Sequence, residues 1–207
     1  MPGRKAPEAE RREQIILAAY AVATRRGLRE MTVRQVAAEA GLSTGLVFFH
    51  FTSREQLVSA LLDWLLATTT VLHVSEAVRA IAAPLDRFLA LLRQEMDRLS
   101  REPARLQLFF EFWVLGARDS GVGERMRREL ARYREAFRPI AQEVLAAEPA
   151  RFPHVSAAGL AAVAVSFIKG CAVQAMIEPL DFSIGEYLLA AEGLLGELST
   201  RGPAARG

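Results

Sequence analysis

TVRQVAAEAGLSTGLVFFHF, residues 32–51, contains the signals that decide the fold. Thr32 and the glutamine three positions later form a capping-box pattern, which predicts the start of a helix. Gly41 ends that helix, and a short second helix follows the turn. Val47 and Phe51 are four residues apart, so one face of the short helix can pack on a core while the other stays exposed. Two short helices joined by a glycine-containing turn predict a helix-turn-helix.

Helical periodicity also dominates the rest of the 207-residue chain. No run of alternating apolar and polar residues predicts a strand. We therefore expect an all-α fold in which glycine and proline separate about nine helices. The expected helices cover residues 7–26, 32–40, 44–50, 53–72, 75–100, 103–119, 122–148, 153–178 and 183–199.

The composition excludes several classes of protein. A hydrophobic fraction of 51% argues against intrinsic disorder. The single cysteine, Cys171, excludes an internal disulfide framework and a multi-cysteine zinc site, and we expect it to be inert. The scattered histidines offer no metal-ligand spacing. The sequence contains no Ser/His/Asp set, phosphate-binding glycine loop or paired carboxylates, so we expect no catalytic residues, no cofactor and no metal.

Charge and hydropathy leave two alternatives. The net charge is +4 in residues 1–54 and −2 in the remainder. A basic end indicates a polyanionic partner, but an arginine-rich solvated surface explains it equally well. Residues 157–177 are long and apolar enough to cross a bilayer. Lys169 and Gln174 favour a buried helix instead, because charges at bilayer depth are costly. With no apolar signal core at the N-terminus, we expect a cytoplasmic protein without a membrane partner.

The run from Gln14 to Leu57 resembles the N-terminal domain of TetR-family transcriptional regulators. The family pattern Ile-Ala-x-x-Ala-Gly-Val-Ser stands here as VAAEAGLS, residues 36–43. The pattern Ser-Lys-Glu-x-Leu stands as SREQL, residues 53–57. Phe48 replaces a usual tyrosine. The resemblance implies a three-helix helix-turn-helix DNA-binding domain at residues 1–53 and a larger helical ligand-binding and dimerisation domain at residues 54–207.

The helix-turn-helix and the resemblance together imply binding to double-stranded DNA. The first turn of the second helix should meet the DNA backbone, and the short helix should enter the major groove. Arg4 and Lys5 form either a minor-groove arm or a solvated tail. The expected DNA-binding residues are Thr32 and Arg34 at the backbone, Thr44, Gly45 and Leu46 at base edges, and Phe48, Phe49, His50 and Arg54 at phosphate and sugar.

The resemblance also implies a homodimer. Small residues along the helix at 153–178 allow close approach of a partner helix, and the last helix has apolar residues at alternating spacings of four and three. A monomeric core that uses the same residues is the alternative. The expected interface residues are Ala158, Ala162, Ser166, Ile184, Leu188, Ala191, Leu195 and Leu198.

The segment LQLFFEFWVLGARD, residues 106–119, is apolar nearly all round its helix and should be interior. It resembles the corresponding helix of the BetI-like branch of the family. The family implies a small-molecule effector in the C-terminal domain, with Glu111 and Arg118 as polar anchors here. Aromatic residues that form only a core are the alternative. The candidate lining residues are Trp64, Phe88, Met96, Phe109, Phe110, Phe112, Trp113, Arg118, Phe137, Phe167, Cys171 and Gln174.

The leading interpretation is a repressor that leaves a palindromic operator when a small, largely apolar effector binds. The helix over residues 53–72 joins the two expected domains, so it is the expected lever that changes the spacing of two recognition helices. The alternative is a dimeric DNA-binding protein without small-molecule induction that acts through a protein partner.

Overall fold

The protein is all-α in the part of the chain that the structure, a computed structural model, describes, residues 7–69 and 73–197. Ten helices follow one another in this part, and no strand occurs in it. The helices are α1 (Glu8–Arg26), α2 (Val33–Ala40), α3 (Thr44–His50), α4 (Arg54–Thr69), α5 (Glu76–Arg79), α6 (Pro84–Ser100), α7 (Pro103–Gly116), α8 (Ser120–Ala147), α9 (Ala157–Ile177) and α10 (Ile184–Glu197).

The first of two compact units contains the described part of residues 1–70 together with Ala104–Arg127. Helices α1, α2, α3 and α4 enclose an apolar core to which α7 and the first turns of α8 add side chains. Ile15 of α1, Leu61 of α4 and Phe112 of α7 are fully buried in it. This core supports the helix-turn-helix, since two short helices alone bury too little apolar surface to be stable.

The second compact unit contains the described part of residues 71–103 and 128–207. Helix α6 packs against α9 and α10, and α8 contributes its later turns. Phe88, Phe137 and Ile168 are among its fully buried residues. The domains expected from the sequence, residues 1–53 and 54–207, were divided by their expected functions, whereas these two units are defined by packing. The functional division stays a prediction.

One expected helix is wrong, because residues 75–100 form two helices. Pro84 starts α6 instead of lying inside a helix. Proline has no N–H for the helical hydrogen bond and disfavours helical geometry in the residue before it, and Ala83 is extended. The short helix α5 ends at Arg79, capped at its start by Ser75. The same argument explains why Pro103 begins α7.

A second expected boundary is also wrong, because Pro153 does not open α9. Ser156 is the N-cap, and its Oγ accepts from the Gly159 N–H over 3.0 Å. Phe152 is buried immediately before this turn. A serine hydroxyl that accepts from the third amide is a stronger start than a proline, since it satisfies a backbone donor.

Candidate nucleic-acid interface

Helix α2 starts where the capping-box pattern predicts. The Gln35 N–H donates to Thr32 Oγ1 over 3.3 Å, and the Thr32 N–H donates to Gln35 Oε1 over 2.9 Å. Thr32 and Arg34 are exposed at this first turn. Gly41 ends the helix with φ +65°, the left-handed region that favours glycine. The capping residues therefore fix the helix in register and leave its first turn open to solvent.

Helix α3 has one buried and one exposed side. Ser43 caps it, since its Oγ accepts from the Leu46 N–H over 3.2 Å. Val47 and Phe51 are 0% and 2% exposed, and they attach the helix to the core of the first unit. Phe49, by contrast, is 76% exposed. The side chains and backbone at least partly open to solvent are those of Thr44, Gly45, Leu46, Phe48, Phe49 and His50.

Two side chains of α1, which sequence reasoning missed, hold the ends of α2 and α3. Arg12 Nη1 donates to the His50 carbonyl over 2.6 Å, and its guanidinium lies 4.4 Å from the centre of the Phe51 ring. Gln14 Nε2 donates to the Ala40 carbonyl over 2.8 Å. The last carbonyls of a helix lack intrahelical partners, so these donors fix both helix ends relative to α1. The polar residues before the apolar stripe of α1 were the available signal.

Arg54, an expected phosphate contact, lies against the backbone of the loop before α2. Its Nε donates to the Met31 carbonyl over 2.9 Å, and its Nη2 donates to the carbonyls of Leu28 and Arg29 over 2.7 and 3.3 Å. Of the three guanidinium nitrogens of Arg54, only Nη1 makes none of these hydrogen bonds to the loop. The geometry thus gives Arg54 a positioning role, and its phosphate contact stays a prediction that depends on Nη1.

His50 and the nearby charges limit how DNA can be contacted. The Nδ1 atom of His50 is buried without a hydrogen-bond partner among the described residues, so a phosphate contact has to come from Nε2. Arg25 forms an ion pair with Glu39, and its guanidinium holds the pKa of that carboxyl below its usual value. Because the pair is exposed, it contributes little to stability. Arg29 and Arg34 are exposed.

The aromatic residues expected to line a ligand cavity fall into both compact units. In the first unit, Phe109 and Phe112 are buried in the core that supports the helix-turn-helix. The ring of Trp64 lies 5.0 Å from that of Tyr20, and the Arg105 guanidinium lies 5.1 Å from the Trp64 ring. The remaining candidates of this unit are at least partly exposed: Phe110, Trp113 and Arg118. These candidates contribute to a core and to a surface.

In the second unit, the expected cavity residues are likewise divided between buried and at least partly exposed positions. Phe167 is half-buried, and its carbonyl accepts from the Tyr187 hydroxyl over 3.2 Å. Gln174 is exposed. Burial raises the pKa of the Cys171 thiol to about 11, which keeps it protonated and unreactive at neutral pH. The fully buried candidates are Phe88, Met96, Phe137 and Cys171.

A buried polar cluster that the sequence did not reveal lies in the second unit. The Tyr133 hydroxyl donates to Glu95 Oε2 over 2.7 Å, and Arg98 Nη2 donates to the same oxygen over 2.7 Å. Lys169 Nζ lies 5.3 Å from the centre of the Tyr133 ring. Burial lowers the pKa of Lys169 to about 8, with Arg98 acting in the same direction, and burial next to Glu95 raises the pKa of Tyr133.

A groove of about 310 Å³ lies beside α6 and α8 in the second unit. None of the expected cavity residues lines it. Arg87 forms an ion pair with Glu143 at its edge and donates to the Ile81 carbonyl over 3.0 Å. Its lining consists of Val74, Arg79, Arg87, Leu91, Ala136, Pro139, Ile140 and Glu143. The groove is mostly apolar, with charged residues of both signs.

Two family models match the sequence. Residues 15–61 match the bacterial regulatory proteins of the tetR family, and residues 84–198 match the BetI-type transcriptional repressor, C-terminal. The second match alone covers more than half of the chain. The chain belongs to the TetR family. The two models describe bacterial transcriptional regulators, a family of DNA-binding proteins that are not enzymes.

Relatives of this TetR-family chain include repressors. It is 32% identical to the HTH-type transcriptional repressor KstR2 of Mycobacterium tuberculosis (strain CDC 1551 / Oshkosh) over 103 residues. This aligned region covers 48% of this chain and 49% of KstR2. The match thus spans about half of that relative's length. The HTH-type nicotine-responsive transcriptional repressor HdnoR of Paenarthrobacter nicotinovorans is 28% identical over 179 residues, 83% of this chain and 87% of HdnoR.

A solved transcriptional regulator from Pseudomonas aeruginosa PAO1 has a similar fold. Its TM-score is 0.76 at 19% sequence identity, over 94% of this chain and 93% of that one. At this identity the likeness establishes the fold and nothing about what the regulator binds. The all-α fold with an N-terminal helix-turn-helix is thereby confirmed.

The expected dimer residues of this TetR-family chain are distributed between core and surface. Leu188, Ala191 and Leu195 of α10 are buried within the subunit, so they leave little surface for a partner. Leu189 and Leu194 on the same helix are 65% and 62% exposed. Among the other expected residues, Ala158 and Ser166 are exposed and Ala162 and Ile184 are half-buried. Leu198, like Arg4 and Lys5, lies outside the described residues.

Helix α9 is the one described helix that is long and apolar enough, by length and composition, to cross a membrane. It packs against α6 and α10, and 39% of its most apolar window is buried. The core helices of globular proteins can be equally long and apolar. On the exposed side of α9, Val163 is apolar. An apolar face that the subunit leaves uncovered also suits contact with another protein chain.

Proposed function

We propose that the chain is a homodimeric repressor that binds a palindromic operator and leaves it when a small, largely apolar effector binds. The observation that carries the DNA-binding part is the two-sided helix α3. Val47 and Phe51 fix the helix to the core, while Thr44, Gly45 and Leu46 stand on the side open to solvent. A short helix held in this way can enter the major groove with its first turn at the base edges.

The operator contacts divide into two sets in this proposal. Leu46 and Thr44 approach base edges, where an apolar group suits the methyl group of thymine. Thr32 and Arg34 meet the phosphates at the first turn of α2, where the helix N-terminus adds a favourable partial charge. Base contacts give specificity, whereas phosphate contacts give affinity for any sequence.

Release by an effector is supported by two features. HdnoR, related over most of its length, is named for its response to nicotine. The groove beside α6 and α8 has about 310 Å³, at the lower end of small-molecule sites. Its apolar lining, with Arg79 and Arg87, suits an effector with one charged end. Helix α4 would act as the lever, because an effector must favour one dimer shape over another to release DNA.

The exposed leucines of α10 support the homodimer. A two-fold axis would bring Leu189 and Leu194 of one subunit against the same residues of its partner, as an isologous interface requires. Such a dimer would present two recognition helices to half-sites one helical turn apart, about 34 Å. The protein acts on chromosomal DNA and hence in the cytoplasm in this proposal.

The first experiment selects bound sequences from a random duplex DNA pool at near-physiological salt. The proposal expects a two-fold symmetric motif whose half-sites lie one helical turn, or a multiple of it, apart. Leu46→Ala should change the preferred base within each half-site, whereas Arg34→Ala should weaken all sequences to a similar extent. Uniform enrichment with only a steep salt dependence would show electrostatic binding without sequence readout and would contradict the proposal.

A regulator without small-molecule induction is the second candidate. Phe88, Phe137 and Cys171 favour it, because these expected cavity residues are packed inside the core of the second unit. A screen of apolar cations and apolar anions against the protein bound to its selected operator separates the candidates. Release by one class supports induction, whereas no release in the screen, with operator binding intact, favours a protein partner.

A further inference from the structure

The loop between α1 and α2 is held on both sides of a single residue. The Leu28 N–H donates to Glu111 Oε2 of α7 over 2.6 Å. The Leu28 carbonyl accepts from Arg54 Nη2 over 2.7 Å. Leu28 is buried, so both of its polar backbone groups need partners inside the protein. Hydrogen bonds to ionised groups are stronger than those between neutral groups, which makes this a firm attachment.

The loop leads directly into the first helix of the helix-turn-helix. Gly27 turns the chain after α1 with φ +84°, where a side chain would be strained. The Met31 carbonyl accepts from Arg54 Nε over 2.9 Å, and Thr32, the next residue, is the N-cap of α2. The position of Leu28 therefore determines where α2 begins and where Arg34 stands.

We propose that Glu111 is a positioning residue for DNA binding. Its carboxylate fixes Leu28, and through the loop it fixes Thr32 and Arg34 at the first turn of α2, without touching DNA. The inference rests on the proposed function, because it assigns a role in operator binding. It also replaces the expected role of Glu111 as a polar anchor in a ligand cavity, since the carboxylate already accepts from a backbone amide.

The residue lies in a surprising part of the sequence for such a role. Residues 84–198, which match the C-terminal family model, contain Glu111, and 83 positions separate it from Leu28. Helix α7 nevertheless belongs to the same compact unit as the helix-turn-helix. Phe112, its neighbour on α7, is fully buried in the core of that unit, so the backbone at Glu111 is held in place.

The test compares Glu111→Ala and Glu111→Gln with Gln107→Ala, an exposed position on the same helix. Affinity is measured for the selected operator and for unrelated duplex DNA, each over a series of salt concentrations. Glu111→Ala should lose about tenfold in affinity for the operator and for unrelated DNA alike, with a shallower salt dependence, because Thr32 and Arg34 no longer stand at the phosphates. Glu111→Gln keeps an oxygen acceptor and should stay within about threefold of the wild type, as should Gln107→Ala.

Amide hydrogen exchange supplies the readout that a general loss of stability would not give. In Glu111→Ala, exchange should rise at Leu28 and through the first turn of α2, while the amides of α4 keep their protection. Operator affinity equal to the wild type would overturn the inference. Faster exchange throughout α1 and α4 would also overturn it, because it indicates loss of the fold.

The proposed function can fail separately. If the wild-type protein selects no symmetric motif, the operator proposal fails whatever Glu111 does. The exchange at Leu28 then decides the remaining question. Faster exchange confined to the loop and α2 supports the role of Glu111 in positioning the helix-turn-helix, whereas unchanged exchange overturns it.

Discussion

Val47 and Phe49 stand two residues apart on α3 and serve opposite purposes. Val47 is fully buried, whereas Phe49 is 76% exposed. A large exposed aromatic side chain gains little in the folded subunit, so its contribution is expected at a surface contact. We therefore predict that Phe49→Ala changes the free energy of unfolding by less than about 0.5 kcal/mol and weakens operator binding about tenfold or more.

Val47→Ala should produce the reverse pattern. Removing two buried methyl groups should cost about 2 kcal/mol of stability, from lost burial and a small cavity. Urea unfolding measures the stability of both variants, and titration with the operator measures their DNA affinity. A Phe49→Ala variant that unfolds as early as Val47→Ala would show that the aromatic ring supports the fold, and it would contradict the expected DNA contact.

The buried amine of Lys169 predicts a pH dependence of stability. Burial lowers its pKa to about 8 from an ordinary value of 10.5. Between these pH values the unfolded chain holds a proton that the folded chain has released. Stability therefore rises with pH in this window, because the unfolded state binds more protons. The wild type should gain stability relative to Lys169→Met as the pH increases from 8 to 10.

Two nearby groups change the stability in the opposite direction as the pH rises. Their contribution cancels when the stability of Lys169→Met is subtracted from that of the wild type. The raised pKa values of Cys171 and Tyr133 mean that the unfolded chain loses those protons first, so their contribution falls as pH rises. Both groups remain in Lys169→Met. Lys5→Met is the matched control, since the chain has one other lysine. A difference between wild type and Lys169→Met that stays constant from pH 8 to 10 would contradict the prediction.

At the scale of helices, the corner between α7 and α8 depends on a glycine pair. A Cβ built on Gly123 would lie 2.5 Å from the Gly116 carbonyl oxygen, which is a backbone atom and cannot move aside cheaply. Gly123→Ala should cost about 1–3 kcal/mol, as overpacking does, and should lower the melting temperature by several degrees. Gly185→Ala in α10, where neighbours leave ordinary space, is the control and should be neutral or slightly stabilising.

Helix ends with a local chemical signal could be predicted from sequence, and those set by longer-range packing could not. Thr32, Gly41 and Ser43 carry their signals within a few residues, so α2 and α3 are placed correctly. The break before α6 also has a local cause in Pro84, which the helical periodicity of residues 75–100 concealed. The start of α9 at Ser156 was missed because Pro153 is also a helix-start signal, although the serine cap is the stronger of the two.

Across the molecule as a whole, the sequence predicted which side of α3 is exposed. It did not predict which distant side chains hold the loop before α2 in place. The exposed side of α3 follows from a four-residue spacing. Arg54 and Glu111 meet at Leu28 from positions far apart in the sequence, and no periodicity connects such residues. The same limit explains α10, where the regular apolar spacing marks the side chains that the subunit buries. The surface available to a partner consists of the leucines beside that seam.

The exposed leucines of α10 give the prediction that tests the assembly. In a two-fold interface, Leu189→Glu and Leu194→Glu together place four carboxylates from two subunits in contact, and burying unpaired charges of one sign is costly. The double variant should therefore be monomeric at micromolar concentration by sedimentation equilibrium. Its affinity for the full operator should fall at least about tenfold, and its affinity for a half-site should be unchanged.

Leu180→Glu is the matched control for this variant. Leu180 is 95% exposed and lies between α9 and α10, so a charge there should leave both assembly and operator affinity as in the wild type. Since all three leucines are exposed, none of the changes should unfold the subunit. A double variant that remains dimeric would place the two-fold contact elsewhere, with Ala158 and Val163 on the open side of α9 as the next surface to change. Loss of half-site binding would instead mean that α10 supports the fold of the subunit.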